Sequence, residues 1–213
     1  VLVFTKTAGL RHDNIEEGVK VLTKLLKDEN IGMFHTEDAN VFLSDSLKNF
    51  DAVLFFSTTG TILDEQQKVA FQNFLKSGKG FMGVHAATDT EHDWPWYNNL
   101  VGAYFASHPA VQEAKIDVKN RKHLATKHLP KVWMHKDEWY DFSNVKPDLK
   151  ILMTIDEKSY QNGKMGDFHP IAWYQKFDGI KVFYTGLGHT KESLYEPNFQ
   201  KQIVGGLKYV LGY

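Results

Sequence analysis

Hydrophobic positions in the first half of the chain form short, continuous runs separated by more polar segments. The runs have the length and composition of buried β-strands. They span residues 1–5, 32–36, 52–57 and 80–86. Because helical periodicity occurs between them, the strands are expected to pair in parallel through right-handed crossovers. The pattern predicts an α/β fold with a doubly wound, mostly parallel sheet and helices on both faces.

Two of the intervening segments have the pattern of an amphipathic helix. The first follows Asp13 or Asn14, either of which is a suitable N-cap, and repeats apolar residues at helical spacing up to Leu26. The second begins at Asp64, which stands three residues before Gln67 as in a capping box, and stops at a glycine. Its predicted buried face consists of Val69, Ala70, Phe74 and Leu75.

The second half of the chain is less regular. Strands are expected in VQEAKIDVK and ILMTID and a helix in WPWYNNLVGAYF, whereas residues 120–150 have few clean periodicities and are expected to be irregular. The pair Asp178-Gly179, between two apolar runs, is typical of a hairpin turn near the C-terminus. A final helix is predicted from Pro197 to Gly212. Since no repeat or linker-like stretch occurs, residues 1–213 are interpreted as a single domain.

Composition argues against several classes of partner. The 25 basic and 26 acidic residues leave a formal net charge of -1, which gives no electrostatic signal for nucleic acid or an anionic membrane. No apolar run approaches the roughly 20 residues of a transmembrane helix. Because the first residue already belongs to a predicted strand, the location stays open between the cytoplasm and, after removal of a leader, the periplasm.

The chain contains no cysteine. Within these residues, this excludes disulfides, thiolate metal sites and a cysteine nucleophile.

Polar residues follow the predicted strands at their carboxyl ends. In an open parallel sheet these ends share one rim, which is where ligands bind. His12 follows the first strand, and His85 ends the fourth, with Asp89 and Trp94 shortly after it. The sequence therefore predicts a site at this rim, although each histidine also has an interpretation as a structural residue at a strand end.

A second group of polar residues belongs to the less regular half. His189 follows the last strand of the hairpin and His169 precedes its first strand, so the pattern defines their places at the rim less well. His108, Asp137 and Glu138 lie in aromatic-rich segments of the kind that form lids and pocket walls. Such imidazoles and carboxylates suit both hydroxyl binding and proton transfer, and the two acids could equally be a solvated pair.

Two of the five tryptophans, Trp94 and Trp173, are assigned to ligand binding, and the others to the core. Their flat apolar faces suit a sugar ring. Histidines are numerous enough for a zinc site, but no HExxH, HxH or other compact ligand pair occurs. We therefore assign no metal ligand and no cofactor, and leave a divalent metal open.

Several long motifs occur in a fixed order along the chain. They are FTKTAGLRHD, GFMGVHAATDT, WPWYNNLVGAYFASHP, DEWY, HPIAW and VFYTGLGH. Together they resemble the ThuA-like family of trehalose-utilisation proteins over essentially the whole chain. The resemblance implies a class I glutamine amidotransferase-like fold of the flavodoxin type and a role in sugar catabolism.

The resemblance also gives His85 a special position. Amidotransferases of this fold have an elbow that reads G-x-C-x-G, and here GVHAA places His85 where the thiol would be. Imidazole does not replace a thiolate in the thioester route, so glutamine hydrolysis is not expected.

Our first hypothesis is an enzyme that acts on a disaccharide or keto-sugar derivative by acid-base chemistry. His85 would be the acid or base, Asp89 would orient it, His189 or His169 would polarise the carbonyl, and Glu138 would be a second acid or base. The residues expected to bind the sugar are His12, Trp94, His108, Asp137, His169 and Trp173. The alternatives are a non-catalytic sugar-binding or regulatory domain and a metal-dependent hydrolase. Homo-oligomers are left open.

Overall fold

The computed structural model describes residues 1–213 and contains eleven strands and five α-helices. The strands are β1 (Leu2–Phe4), β2 (Phe34–Thr36), β3 (Ala52–Phe56), β4 (Gly80–Val84), β5 (Tyr104–Ser107), β6 (Gln112–Val118), β7 (Val132–Asp137), β8 (Asp141–Ser143), β9 (Lys150–Asp156), β10 (Pro170–Phe177) and β11 (Ile180–Thr185). The helices are α1 (Ile15–Asp28), α2 (Glu65–Lys76), α3 (Pro95–Val101), α4 (Lys191–Leu194) and α5 (Pro197–Leu211). No helix has both the length and the apolar character needed to cross a membrane.

Nine strands form one continuous sheet in the order β2-β1-β3-β4-β11-β10-β9-β6-β7. The neighbours from β2 to β11 are parallel, and those from β11 to β7 are antiparallel. A large sheet flanked by helices confirms the predicted α/β class. The predicted hairpin, β10 and β11, lies inside the sheet, because β11 pairs in parallel with β4.

Alternate strand residues face two separate cores, one on each side of the sheet. Val3, Leu54 and Met82 pack on the side of α1 and α5. The neighbouring residues Phe4, Phe55 and Phe81 pack on the side of α2 and α3. This alternation places helices on both faces, as the hydrophobic pattern predicts.

The α2 helix has the predicted capping box but a different buried face. Asp64 and Gln67 bond each other's backbone N–H groups at 2.8 and 2.9 Å. Val69, predicted to be buried, is 57% exposed. Phe71 is buried instead, because it is three and four residues before Phe74 and Leu75 and therefore lies on their face.

Residues 120–150, expected to be irregular, contain two strands, β7 and β8. In β7 the buried positions alternate regularly, but they are Trp133, His135 and Asp137, while Val132 and Met134 are exposed. At most positions of β7, therefore, a buried residue is polar or an exposed residue is apolar. Hydrophobic periodicity cannot predict such a strand. β8 pairs with β5 in a separate two-stranded sheet.

Candidate active site

Four ionisable side chains converge beyond the carboxyl ends of four strands of the main sheet. His12 follows β1, His85 follows β4, Glu138 follows β7 and His189 follows β11. One potential ligand atom from each of the four lies within 4.8 Å of the others. We call these four residues the rim cluster.

His85 occupies a sharp turn between β4 and a short 3₁₀ helix. Its backbone φ of 51° is in the left-handed region, and its side chain is fully buried. Non-glycine residues in this conformation concentrate at functional sites. Ring nitrogen Nδ1 lies 3.0 Å from the carbonyl oxygen of Gly186, which can only accept, so Nδ1 donates. In the neutral ring, the lone pair of Nε2 therefore points into the rim cluster.

Three atoms of the rim cluster form a nearly equilateral triangle. His85 Nε2 lies 3.0 Å from His189 Nδ1 and 3.2 Å from Glu138 Oε2. The third side, from His189 Nδ1 to Glu138 Oε2, is 3.1 Å. The two nitrogens and the oxygen therefore all lie within 3.2 Å of one another.

His12 closes one side of the rim cluster. Its ring lies edge-on to His85 and His189, with centroids 5.1 and 5.3 Å away. Nε2 is 3.4 Å from the hydroxyl of Tyr140, while the buried Nδ1 has no hydrogen-bond partner in the protein. Burial, assisted by the neighbouring histidines, lowers the pKa of His12 to about 3, so its ring is neutral.

Glu138 and His189 shift each other's pKa in opposite directions. Burial alone would raise the pKa of Glu138, but the contacts with His189 and His85 lower it well below its usual value. Burial alone would lower the pKa of His189, but the bond with Glu138 raises it. The carboxyl group is therefore ionised, and its charge favours a cation beside it.

Asp137 organises the backbone of the site. The carboxylate is fully buried and accepts from the N–H groups of Gly188, His189 and Thr190 at 2.7 to 3.1 Å. It also accepts from the hydroxyl of Ser193 at 2.8 Å. Asp137 was expected to bind substrate, but its oxygens are already used and solvent does not reach it. It is a positioning residue for His189.

The mouth of the site is formed by the small β5-β8 sheet and the loop after β11. His108 is 40% exposed there, and its Nδ1 lies 2.9 Å from the Pro109 carbonyl oxygen and 3.1 Å from Glu138 Oε1. Both neighbours are acceptors, so Nδ1 holds the proton and Nε2 is free to accept one. Tyr140 and Phe105 provide the aromatic wall, with ring centroids 4.4 Å apart.

A polar cleft of about 270 Å³ borders the rim cluster, between His189, Lys191 and Val111. A larger cavity of about 670 Å³ lies at the opposite, amino end of the sheet, next to Val1 and Phe50. No histidine or glutamate lines that larger cavity. The chemistry, rather than the size of the cavity, therefore identifies the site.

Two residues assigned to catalysis or binding have other partners. Asp89 does not bond His85; it pairs with His92 at 2.8 Å, and the Gly186 carbonyl orients His85 instead. His169 lies behind the site, where its Nε2 donates to the Tyr140 carbonyl at 2.7 Å. Its Nδ1 lies 2.8 Å from a Glu157 carboxylate oxygen, so both ring nitrogens are used.

The tryptophans assigned to ligand binding belong to the packed core and its edge. Trp173 is fully buried, stacks on Tyr184 and donates to the Val101 carbonyl at 2.8 Å. Trp94 packs against Trp96, with centroids 5.1 Å apart, at the edge of the α2 and α3 core. The predicted tryptophan wall is therefore replaced by Tyr140 and Phe105.

Sequence reasoning missed two features of the site. Tyr140 lies against His85 in a tilted arrangement with ring centroids 4.3 Å apart, and burial followed by the charge of Glu138 raises its phenol pKa strongly. Its position two residues after Glu138, in the motif DEWY, was the available signal. No signal in the sequence pointed to the Gly186 carbonyl, because every residue has a backbone carbonyl whatever its side chain.

Comparison with known proteins gives a family and a fold. A family model for ThuA, described as trehalose utilisation, matches residues 1–210. No curated protein matches the sequence at a significant level.

Solved structures of similar fold include two ThuA-like proteins. One, from Bacteroides uniformis, is 20% identical with a TM-score of 0.82, covering 98% of this chain and 89% of that one. Another, from Parabacteroides merdae, is also 20% identical with a TM-score of 0.82, covering 100% and 90%. A cytoplasmic protein of Salmonella typhimurium is 8% identical with a TM-score of 0.69, covering 98% of both chains. At these identities the likeness concerns the fold.

Proposed function

Because the chain belongs to the ThuA family of trehalose utilisation, which has a carbohydrate-related role, we propose that it acts on a keto-sugar or similar sugar derivative by proton transfer at the rim cluster. The observation that supports this most is the convergence of His85 Nε2, His189 Nδ1 and Glu138 Oε2 within 3.0 to 3.2 Å. Such a group of imidazoles and a carboxylate can bind and polarise an oxygen atom.

A carbonyl group acidifies the C–H bond beside it. Elimination, hydration or isomerisation of a keto-sugar therefore needs one base and one group that stabilises the developing oxyanion. His108 Nε2, at the exposed mouth, is placed to accept the proton. The rim cluster would hold the oxygen, and the neutral Tyr140 hydroxyl is an additional donor.

The cleft favours a small, hydroxylated ligand. Its volume of about 270 Å³ is at the lower end of the roughly 300–1,000 Å³ typical of ligand sites. Five of its six lining residues are polar or charged, and Tyr140 and Phe105 supply an aromatic face beside His85 and His108. These features suit one sugar ring entering the site while any second ring stays outside.

We also infer that the fold is of the class I glutamine amidotransferase-like, flavodoxin type. The parallel strands have the order 2-1-3-4 followed by β11, and this order belongs to doubly wound flavodoxin-like sheets. His85 stands at the strand-to-helix elbow with a left-handed backbone, as a nucleophile does in related elbows. With no cysteine in these residues, the elbow presents an imidazole in place of a thiol.

Turnover of keto-disaccharides tests the proposal. Purified protein is incubated with disaccharides and their keto derivatives, and products are followed by NMR. We expect turnover of a keto derivative, and a decrease of about 100-fold or more in kcat/KM for His85→Gln and Glu138→Gln. The matched control is His92→Gln, since His92 lies on the surface and pairs with Asp89.

The non-catalytic alternative gives a different result. Binding of a sugar that stabilises the protein against heat, without conversion of any tested derivative, would contradict the proposed chemistry and favour a sugar-binding domain. A loss of activity in His92→Gln as large as in His85→Gln would show that the substitutions act through folding instead of through the site.

A further inference from the structure

The three closest atoms of the rim cluster have the spacing of metal ligands. A triangle with sides of 3.0 to 3.2 Å has its corners about 1.8 Å from its centre. Zinc binds histidine nitrogen and carboxylate oxygen at roughly 2.0 to 2.2 Å, so a cation about 1 Å out of the plane would contact all three atoms.

With Glu138 ionised, no placement of protons on the two nitrogens satisfies all three contacts of this triangle. If Glu138 is ionised and only His189 Nδ1 is protonated, His85 Nε2 and Glu138 Oε2 face each other as two acceptors at 3.2 Å. If only His85 Nε2 is protonated, His189 and Glu138 face each other as acceptors instead. If both nitrogens are protonated, two donors meet at 3.0 Å. Each of these arrangements leaves one unfavourable contact, whereas a cation can contact all three atoms.

The surroundings hold these atoms in position for a cation. His85 donates its other ring nitrogen to the Gly186 carbonyl, which is the usual support of a ligating histidine. The backbone of His189 is fixed by Asp137, and the second oxygen of Glu138 lies 3.1 Å from His108. The His12 ring lies beside the triangle with an unpartnered, buried Nδ1.

We propose that the rim cluster is a binding site for one first-row divalent transition metal, held by His85 Nε2, His189 Nδ1 and Glu138 Oε2, with His12 adjacent to the fourth position. Two imidazoles and one carboxylate, without thiolate, favour zinc, iron(II), manganese or cobalt over calcium or magnesium. Three protein ligands leave positions open for an oxygen of the substrate.

The role of this cation in turnover rests on the proposed function, but its binding does not. A bound cation would polarise the carbonyl of the keto-sugar and stabilise the enolate formed when His108 removes the neighbouring proton. It would thereby replace the hydrogen bonds that the cluster would otherwise supply.

Metal titration tests the site without any substrate. Tag-free protein is stripped with a chelator and titrated with zinc chloride by calorimetry and with cobalt chloride by visible absorption. We expect one cation per chain and a cobalt spectrum with nitrogen and oxygen ligands. His85→Gln and Glu138→Gln should weaken binding by about 100-fold or more, and His92→Gln should leave the affinity unchanged.

His189→Ala provides a variant on a less buried ligand, and circular dichroism checks that each variant is folded. Absence of a one-to-one site in the wild type, or unchanged affinity in folded His189→Ala and Glu138→Gln, would overturn the inference. Metal binding without sugar turnover would refute the proposed function and leave the metal site standing. Full turnover after complete removal of the cation would leave the proposed function standing and refute its dependence on metal.

Discussion

At the scale of single residues, the site depends on a buried carboxylate that does not reach the ligand. Asp137 accepts hydrogen bonds from three successive backbone N–H groups of the loop that positions His189. Burial alone would raise the pKa of Asp137, but His135, His85 and the Gly188 N–H lower it, so the group is ionised. Its charge therefore holds the loop in one conformation.

Replacing Asp137 by asparagine should destabilise the protein strongly. The new NH₂ group would face backbone donors where an oxygen now accepts, and a buried network with one wrong partner costs about 3 kcal/mol. Urea unfolding measures the loss. The matched control is Ser193→Ala, which removes one donor to the same carboxylate and should cost about 1 kcal/mol. Equal stability of the two variants would contradict the positioning role.

At the scale of elements, the sequence was sufficient to predict strands, helices and turns where apolar residues are buried and polar residues are exposed. The runs at β1, β3, β4 and β9, the capping box of α2 and the Asp178-Gly179 turn follow local rules that tertiary contacts do not override. The hairpin turn has φ values of 50° and 79° at its two residues, as its sequence requires.

The elements that sequence did not reveal are those that build the site. β7 buries His135 and Asp137 and exposes Met134, so the alternation of apolar and polar residues does not match the alternation of buried and exposed positions. The partners of Asp89 and Trp173 were equally hidden, because a side chain near a strand end has several neighbours available in three dimensions. Proximity along the chain suggested that Asp89 orients His85. In the fold, the partner of His85 is the carbonyl of Gly186, which is 101 residues away in sequence.

The capping box of α2 gives a prediction at this scale. Asp64→Ala removes the acceptor of the Gln67 N–H and should lower the free energy of unfolding by about 1 kcal/mol. Glu65→Ala, one residue further on and exposed, should cost less than about 0.5 kcal/mol. Denaturant midpoints at constant m-value measure both. A smaller loss in Asp64→Ala than in Glu65→Ala would contradict the capping assignment.

At the scale of the whole molecule, the sheet brings distant segments to one edge. Strands β1, β3, β4 and β11 are successive parallel neighbours whose carboxyl ends share one edge, so His12, His85 and His189 meet although they span most of the sequence. The antiparallel half adds Glu138, and the β5-β8 sheet adds the mouth. The site is therefore a property of the complete fold.

Acid should weaken the fold through a histidine remote from the site. His123 packs between Tyr174 and Tyr209, with ring centroids 4.4 and 4.7 Å away, and its Nε2 has no partner. Burial lowers its pKa to about 4. The unfolded chain binds this proton at about pH 6.5, so the stability is complete above that pH and is lost progressively as the pH falls toward 4.

The loss should amount to about 2 kcal/mol after allowance for the partial exposure of the ring. His123→Gln has no such proton to bind, so its free energy of unfolding should fall less between pH 7 and pH 4 than that of the wild type. His92→Gln is the control, because His92 is exposed. An identical fall in wild type and His123→Gln would show that other groups govern the acid response.

Anomalous diffraction at the zinc edge, from crystals of the zinc-loaded protein, tests the convergence of the rim cluster most directly. The account predicts one strong peak about 2.0 to 2.2 Å from His85 Nε2, His189 Nδ1 and Glu138 Oε2, with the Gly186 carbonyl still bonded to His85. Peaks confined to surface histidines, with no density between these three atoms, would contradict it.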